Sequence, residues 1–192
     1  MAVRNIIVIP PGHVGRLVKR GKLYLARNRM LMGRVYECFS DGYGFVGVVE
    51  LEFLGSGIEV LREHLEYSGL TDVKTWMKVD GVTSSPHLYM LKLISPSRTT
   101  GDSLMDLYSY LLTVRHLHRL NIALDTGLYR YNSKVLGWVI FRSPYYTPYR
   151  KATIGEYMNM LEKIGLIEVV EKRKGSRSTT YVIRFCDHDK DK

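Results

Sequence analysis

The spacing of apolar positions divides the first half of the chain into short segments of two periods. Alternation of apolar and polar positions predicts strands at residues 4–9, 34–39, 45–53 and 87–94. Helical spacing predicts short helices at residues 12–20 and 58–67, and Thr71-Asp72 form a typical cap before a further short helix. Many short strands with a few short helices are typical of a small mixed barrel.

Longer helical patterns appear in the second half. Residues 102–120 carry a broad apolar face that predicts the longest helix of the chain, and residues 134–142 predict another, with Trp138 buried. A third helix follows residue 147, with an apolar stripe of Ile154, Met158, Leu161 and Ile164. Period-two alternation then predicts strands at 166–170 and 180–185, joined by a basic turn.

These patterns predict an α+β protein of two domains. A small mixed β-barrel is expected over residues 1–96 and a second domain over residues 102–186. Residues 97–101 have linker composition, and the charged residues 187–192 are predicted to be a disordered tail.

Composition favours an anionic partner. The 192 residues carry a formal net charge of +9 and a pI near 9.5. Cys38 and Cys186 lack metal-type spacing, so we interpret them as free thiols in the cytoplasm and expect no metal and no cofactor. No apolar run reaches about 18 residues, so no membrane span is expected. The absence of glutamine is typical of a heat-adapted source.

The most asymmetric charge distribution lies near the start of the chain. From Arg4 to Arg34 there are eight basic residues and neither Asp nor Glu. Such a run predicts a phosphate-binding surface or a solvated one. The candidate nucleic-acid-binding residues in this run are Arg16, Lys19, Arg20, Lys22, Arg27 and Arg29.

The last third of the chain resembles a known DNA-binding motif. A helix, the strand "IGLIEVV", a basic tip and the strand "TTYVIRF" resemble the recognition helix and wing of winged helix-turn-helix domains. The resemblance implies that the helix enters a nucleic-acid groove and that the wing touches the backbone. Many winged helices bind protein instead. The candidate contacts are Arg150, Lys151, Thr153, Tyr157 and Asn159 on the helix, and Lys172, Arg173, Lys174 and Arg177 on the wing.

Two further segments of the second domain carry candidate chemistry. Residues 143–149, where a usual winged helix has a second helix, contain two prolines and three tyrosines. These tyrosines either stack on bases or pack the loop on its own core. His116 and His118 flank Leu117 in an RHLHR cluster, which we expect to be exposed and cationic, because i, i+2 spacing does not place both histidines on one helical face.

The first 96 residues resemble an ASCH domain of the PUA-like superfamily. The resemblance is carried by Lys22 and Arg27 in a K-x-x-x-x-R pattern, by "FVGVVELEFLG" and by "GLTDVKTW" before the last strand. It implies a compact barrel with a charged cleft, usually linked to RNA or modified-base recognition. Some members hydrolyse a modified nucleoside with a Lys, a Thr and a Glu, but here Leu23 and Leu25 occupy the Thr and Glu positions.

Catalysis therefore needs another carboxylate near Lys22. Glu50 and Glu52 stand at i and i+2 on a predicted strand, so they point to the same face and are candidate partners for Lys22. The alternative is that this face is the solvated side of the barrel.

The leading hypothesis is a cytoplasmic two-domain nucleic-acid-binding protein, acting as a transcription regulator or RNA-binding factor without chemistry. Cations of both domains would bind a common polyanion. A hydrolase or nuclease acting in the barrel cleft is the first alternative. The second is a protein-interaction module that forms a homodimer through the 102–120 helix.

Overall fold

The structure is a computed structural model that describes residues 5–145 and 151–186, with side chains at residues 151 and 152 excepted. The chain divides into two compact units, Met1–Pro96 (unit 1) and Ser97–Lys192 (unit 2). The tail predicted at residues 187–192 lies outside the described residues. In the described parts of the chain, no helix has the length and apolar composition needed to cross a membrane.

Unit 1 contains five strands and four helices in its described part, in a mixed α+β arrangement. In chain order they are β1 (Ile6–Val8), α1 (Pro11–Arg20), β2 (Lys22–Arg27), β3 (Val35–Ser40), β4 (Gly44–Ser56), α2 (Ile58–Glu63), α3 (Leu65–Ser68), α4 (Val73–Asp80) and β5 (His87–Pro96).

The five strands form one curled sheet, with the order β1-β3-β4-β5-β2. β1 runs parallel to β3, and the other neighbours are antiparallel. β1 and β2 are opposite edges of the sheet, yet the Arg27 guanidinium on β2 donates to the Val8 carbonyl on β1. The two edges therefore approach each other, as in a half-closed barrel.

Each face of this sheet has its own apolar core. The inner face, with residues such as Leu23, Leu25 and Leu91, packs against Val14 and Leu17 of α1. The outer face is covered at one end by α2, α3 and α4, with fully buried Trp76 at the centre of that cluster. Alternation along each strand produces these two cores, because successive side chains point to opposite faces.

A buried carboxylate joins three elements of unit 1. Asp80, at the end of α4, accepts hydrogen bonds from the Ala26 amide on β2 at 2.7 Å and from the Trp76 indole at 2.9 Å. His13 of α1 lies 2.6 Å away through Nε2. All four residues are buried, so this network fixes the helices to the sheet.

Unit 2 has the element order helix, strand, helix, helix, strand, strand. These elements are α5 (Ser103–His118), β6 (Tyr129–Asn132), α6 (Ser133–Ile140), α7 (Lys151–Lys163), β7 (Ile167–Lys174) and β8 (Thr179–Phe185), with a short 3₁₀ turn before β6. The three strands form an antiparallel sheet in the order β6-β8-β7. The predicted last helix and the hairpin after it are confirmed.

The apolar face of α5 packs in the core of unit 2. Leu107, Leu111 and Val114 are fully buried within the unit, and the Leu111 carbonyl accepts from the Tyr131 hydroxyl of β6 at 2.7 Å. Packing of this face against its own unit explains the broad apolar pattern at residues 102–120. No dimer contact is needed to cover it.

Several local expectations are wrong. The helix predicted over 58–67 breaks at His64, whose backbone leaves helical geometry, so α2 and α3 are separate. Trp138 is half-buried rather than buried, with the Lys134 ammonium 5.7 Å from its ring centroid. Ile164 lies beyond the end of α7 and is 55% exposed, so it does not extend the buried stripe.

The histidine cluster also differs from expectation. Arg115 and His116 are exposed as expected, but His118 is buried and stacks on Tyr131, with ring centroids 4.5 Å apart. Its Nδ1 lies 2.8 Å from the Arg130 carbonyl. The helix places residue 118 on the buried face with Val114, whereas residue 116 points away.

Candidate nucleic-acid interface

The basic surface of unit 1 begins at the end of α1. Lys19 and Arg20 form the last turn of α1, and Gly21 ends the helix in the left-handed conformation with φ of 71°. Gly21 is the single residue between α1 and β2, so Lys22 at the start of β2 follows closely after Lys19 and Arg20. All three cations are exposed, and none has a carboxylate partner within the described ranges.

Lys22 also lines a pocket on the outer face of the sheet, which we call the Lys22 pocket. Its volume is about 370 Å³, and it is lined by Lys22, Arg34, Glu50, Leu51, Glu52, Met90 and Lys92. The register explains the arrangement, because Lys22 is opposite Lys92 and Lys92 is opposite Glu50 across three adjacent strands. The structure thus brings together the three sequence-predicted catalytic candidates, Lys22, Glu50 and Glu52.

The charges of the Lys22 pocket are only partly compensated. Arg34 donates to Glu50, so one cation and one carboxylate of the pocket form an ion pair. Glu52 lines the same pocket and has no cation partner in the described part of the chain. Lys22 and Lys92 also line the pocket, and neither has a carboxylate partner there. Three cations and two carboxylates therefore leave an excess of positive charge at the pocket.

Two of the predicted cations of unit 1 are committed to internal contacts. Arg16 donates to the Ser68 carbonyl and, at 3.0 Å, to the Gly69 carbonyl, which are the free carbonyls at the end of α3. Arg27 donates to Val8 across the open side of the sheet. Both side chains are half-buried, so we assign them structural roles rather than phosphate contacts.

Arg29 lies in the exposed loop between β2 and β3. Its neighbour Asn28 holds this loop to α4 by donating to the Gly81 carbonyl and accepting from the Thr83 amide, both at 3.0 Å. Arg29 therefore projects from an anchored segment, separated from Lys22 by the length of β2.

In unit 2, helix α7 buries the expected stripe. Ile154, Met158 and Leu161 are at most 1% exposed. Of the predicted contact residues, Asn159 is exposed, whereas Thr153 and Tyr157 are half-buried. Arg150 lies outside the described residues, and the side chain of Lys151 is likewise not described.

The charge of the described part of α7 is mixed. Glu156, Glu162 and Lys163 are exposed on it, and Glu162 accepts from the Val169 amide at the start of the hairpin at 2.8 Å. This half of the helix is therefore not a strongly basic surface. The cations available to a polyanion in the described part of unit 2 are concentrated on the hairpin instead.

The hairpin β7–β8 presents its tip to solvent. Residues 172–177 are all exposed, and Gly175 donates to the Ser178 carbonyl at 2.8 Å to close the turn. The strand after the tip is anchored, because the Thr179 amide donates to the Ser133 hydroxyl at 2.8 Å and Asn132 donates to the Ser178 hydroxyl at 2.9 Å. The tip is thus fixed from one side and open on the other.

The four basic residues at positions 172–177 of the hairpin are not equivalent. The Lys172 ammonium lies 5.4 Å from the ring centroid of Tyr181, and burial raises the pKa of the Tyr181 hydroxyl. Arg173 donates twice to Glu171, and this hydrogen bond and charge raise the pKa of the guanidinium. Lys174 and Arg177 have no carboxylate partner among residues 5–145 and 151–186.

The side chains of Lys172 and Tyr181 lie next to Gly155 of α7. A Cβ at Gly155 would lie 3.5 Å from the Tyr181 hydroxyl and 3.6 Å from the Lys172 ammonium. Lys172 is therefore positioned at the junction of the helix and the hairpin, whereas Lys174 and Arg177 are positioned at the tip.

Of the three tyrosines at residues 143–149, the structure describes Tyr145. Tyr145 is 72% exposed, and its amide donates to the Ser143 hydroxyl at 3.2 Å. Tyr146 and Tyr149 lie outside the described residues.

Sequence reasoning missed two cations, Lys92 and Arg34. Lys92 alternates with buried Leu91 along β5, so its outward direction was predictable, but its place opposite Lys22 depends on pairing across 70 positions of sequence. Arg34 was counted only as part of the basic run. Its contact with Glu50 follows from the antiparallel pairing of β3 and β4.

No group of three or more potential metal-ligating side chains occurs among the residues that the structure describes. Comparisons with known proteins give no match to a family model, a curated protein or a solved structure.

Proposed function

We propose that the chain is a nucleic-acid-binding protein that holds phosphates through two basic surfaces, one in each unit. The observation that carries the proposal is two local groups of exposed cations that have no carboxylate partner in the described chain. The basic surface of unit 1 consists of Lys19, Arg20, Lys22 and Lys92, and that of unit 2 consists of Lys174 and Arg177. Such cations release counterions from a polyanion when they neutralise phosphates.

The topology of unit 2 supports a winged-helix assignment. Its order of helix, strand, helix, helix, strand, strand and its sheet order β6-β8-β7 are those expected of that class. In this assignment α6 takes the place of the second helix, so residues 143–149 need not supply it. α7 would be the recognition helix and the β7–β8 hairpin the wing.

The curled sheet of unit 1 supports the PUA-like assignment. The strand order, the helix α1 between β1 and β2, and the approach of Arg27 to Val8 are compatible with a small half-closed barrel. The inner face of this barrel is filled by apolar and aromatic side chains, so the charged residues of the proposed interface lie on its outer face. This places the candidate contacts around the Lys22 pocket. A role in transcription regulation or as an RNA-binding factor would follow.

The wing provides the first test. Binding of fluorescent DNA and RNA duplexes and single strands to the full chain is measured by anisotropy over a range of salt concentrations. Replacing Lys174 and Arg177 with Ala is expected to weaken binding to all sequences. The slope of log K against log salt should fall by about 0.9 per lost duplex contact and about 0.7 per lost single-strand contact.

A matched control removes one cation of the same hairpin that already has a partner. Arg184 pairs with Glu168 at 2.7 Å, so Arg184→Ala is expected to leave the salt slope unchanged. Arg173→Ala is expected to have a smaller effect than Lys174→Ala, because Glu171 already neutralises Arg173. Unchanged affinity in the Lys174→Ala/Arg177→Ala variant would remove the wing from the interface.

A second candidate function, a hydrolase acting on a nucleoside or RNA, is favoured by one observation. Lys22, Glu50 and Glu52 line a single pocket, so a Lys side chain and two carboxylates face one space, which is the first condition for a nucleophile and a general base. Because Arg34 engages Glu50, Glu52 is the carboxylate available to act as the base. Hydrolysis of nucleosides and oligonucleotides by the wild-type chain, abolished in Lys22→Ala and in Glu52→Gln, would support this function. Absence of turnover in the wild-type chain would exclude those substrates.

A further inference from the structure

A groove on the helical layer of unit 1 shares no lining residue with the Lys22 pocket. It has a volume of about 740 Å³ and runs between α2 and α4, ending at the loop that follows α4. Its floor is aliphatic, with Ile58 from α2 and Val73, Met77 and Val82 from α4 and its loop. Ile58 is 43% exposed, and Val73 and Met77 are half-buried. Apolar side chains at this level of exposure are available to a partner.

Cations flank this floor on both sides. Lys74 and Lys78 stand one turn apart on α4, beside the apolar pair Val73 and Met77, and Arg62 stands one turn after Ile58 on α2. Among the residues that the structure describes, no acidic and no aromatic side chain lines the groove. Arg62 contacts Glu59 on the exposed surface of α2, and both groups are more than half exposed, so an incoming carboxylate can compete for the guanidinium.

Buried side chains and hydrogen bonds within unit 1 hold the two helices that form the groove. Each helix is held from beneath by one fully buried side chain, Leu61 in α2 and Trp76 in α4. Asp72 caps α4 by accepting from the Thr75 amide at 2.8 Å. At the far end, the Val82 amide donates to the Met77 carbonyl at 2.8 Å, and Asn28 bridges Gly81 and Thr83. A groove formed in advance reduces the ordering cost of binding.

We infer that this groove docks an acidic amphipathic segment of a partner protein. Aliphatic side chains of the segment would occupy the floor between α2 and α4, and its flanking Asp or Glu side chains would meet Arg62, Lys74 and Lys78. An amphipathic helix fits such a groove through apolar positions at i, i+3 or i+4 and i+7. The helix would run along the groove with its carboxylates on both margins.

The lining favours a peptide over nucleic acid. Bases of single strands stack on aromatic side chains, and the groove offers none. Its aliphatic floor would also have to be covered by a partner with apolar groups, which a phosphate backbone lacks. The acidic segment satisfies both features of the groove, since its apolar face covers the floor and its charges complement the margins.

Three labelled helical peptides of one length test the inference against the full chain. The first carries Leu at i, i+3, i+4 and i+7 with Glu on both flanks, the second replaces every Glu with Lys, and the third replaces every Leu with Ser. We expect only the first to bind in anisotropy. Its titration should shift the amide resonances of Ile58, Val73 and Met77 in ¹H–¹⁵N spectra. Failure of the first peptide to bind would overturn the inference, and so would equal binding of the first and second.

Charge reversal at the groove separates this site from the nucleic-acid surfaces. Lys74→Glu/Lys78→Glu should weaken binding of the first peptide about tenfold or more, and its oligonucleotide affinity should equal that of a control with the same net charge. The control Arg98→Glu/Arg115→Glu makes the same charge change at exposed positions of unit 2 and should leave peptide affinity unchanged. If the groove variant loses oligonucleotide affinity and the peptide does not respond, the groove belongs to the nucleic-acid interface and the inference fails.

Discussion

At the scale of single residues, cations that look alike in the sequence have different tasks. Arg16 and Arg27 are used to satisfy backbone carbonyls, and Arg173 pairs with its neighbour Glu171. Lys22 and Lys174 have no such partner in the described chain and remain available to a ligand. A basic run therefore overestimates the number of phosphate contacts, because a guanidinium can bind carbonyls through several donors at once.

The Asp80 network gives a prediction for a single carboxylate. Asp80→Ala leaves buried donors of His13, Ala26 and Trp76 without an acceptor, and we expect it to destabilise unit 1 by about 3–5 kcal/mol. Asp80→Asn keeps one acceptor oxygen and should cost about 1–3 kcal/mol. Urea unfolding, followed by Trp76 fluorescence in a Trp138→Phe background, measures both. Asp41→Ala in an exposed turn is the control, and an equal loss there would contradict the role of Asp80.

The two thiols should differ in reactivity. Burial raises the pKa of Cys38 to about 12, whereas Cys186 is only half-buried. Because the thiolate is the reactive form, we expect a thiol reagent at pH 8 to label one cysteine of the native chain. Cys186→Ser should abolish this labelling and Cys38→Ser should not. Rapid labelling of the native Cys186→Ser variant would contradict the burial of Cys38.

The same pKa shift has a consequence for stability. In the unfolded chain Cys38 ionises near its usual value of about 8.5, whereas in the folded chain it stays protonated up to about pH 12. The contribution of this thiol is therefore fully present below about pH 8.5 and is lost progressively between that pH and about 12. Comparing wild-type and Cys38→Ala unfolding at pH 7 and pH 10 measures it, since the variant should lose less stability over this range.

At the scale of elements, glycines decide where strands and helices approach or end. Gly47 in β4 has a φ of 153°, and a Cβ there would lie 2.5 Å from the Ser95 carbonyl oxygen and 2.7 Å from Leu93. β4 can pair with β5 this closely only because residue 47 has no side chain. Gly15 in α1 is the opposite case, because its position is exposed and a Cβ would meet nothing within 4 Å.

These two glycines form a matched pair of substitutions. Gly47→Ala is expected to destabilise unit 1 by about 2 kcal/mol or more, since the contacting atoms include backbone that cannot move aside. Gly15→Ala is expected to stabilise it by about 0.5–1 kcal/mol, because Ala restricts the unfolded chain and suits a helix interior. Thermal and urea unfolding of both variants gives the two signs. A neutral Gly47→Ala variant would show that β4 and β5 are less tightly paired at this point.

Local patterns predicted most elements, and long-range pairing explains those that they missed. The Gly21 end of α1, the Asp72 cap and the buried stripe of α7 depend on neighbouring residues, so the sequence contains their signals. β6 is four residues long and gains its strand geometry from pairing with β8. The burial of His118 likewise depends on Tyr131, which arrives from a later element.

The candidate site follows the same division. The sequence placed Glu50 and Glu52 on one face, because alternation along a strand is local. It did not place Lys92 beside Lys22, because that neighbourhood requires the β2–β5 register, and it did not separate Arg173 from Lys174, because one ion pair distinguishes them. The groove between α2 and α4 was not foreseen, since the two helices face each other only after both have packed on the sheet.

At the scale of the whole molecule, the net charge of +9 favours an anionic partner but does not say where such a partner would bind. Each unit has its own core and its own set of exposed cations, so each surface can be removed by substitution without disturbing the other core. A chain with two binding surfaces gains affinity when both engage one ligand, because the second contact becomes intramolecular.

The last prediction uses this linkage. Lys19→Ala/Arg20→Ala/Lys22→Ala removes the unit 1 cations, Lys174→Ala/Arg177→Ala removes those of the hairpin, and a third variant combines them. On a long oligonucleotide we expect the slope of log K against log salt to fall by about 0.7–0.9 for each cation that contacts phosphate, and the losses to add in the combined variant. If the combined variant binds as tightly as one of its two parents, only the surface removed in that parent contacts the nucleic acid. If the losses add, an oligonucleotide shortened until one parent variant binds as tightly as the wild type gives the length that both surfaces need, because avidity is restored beyond that length.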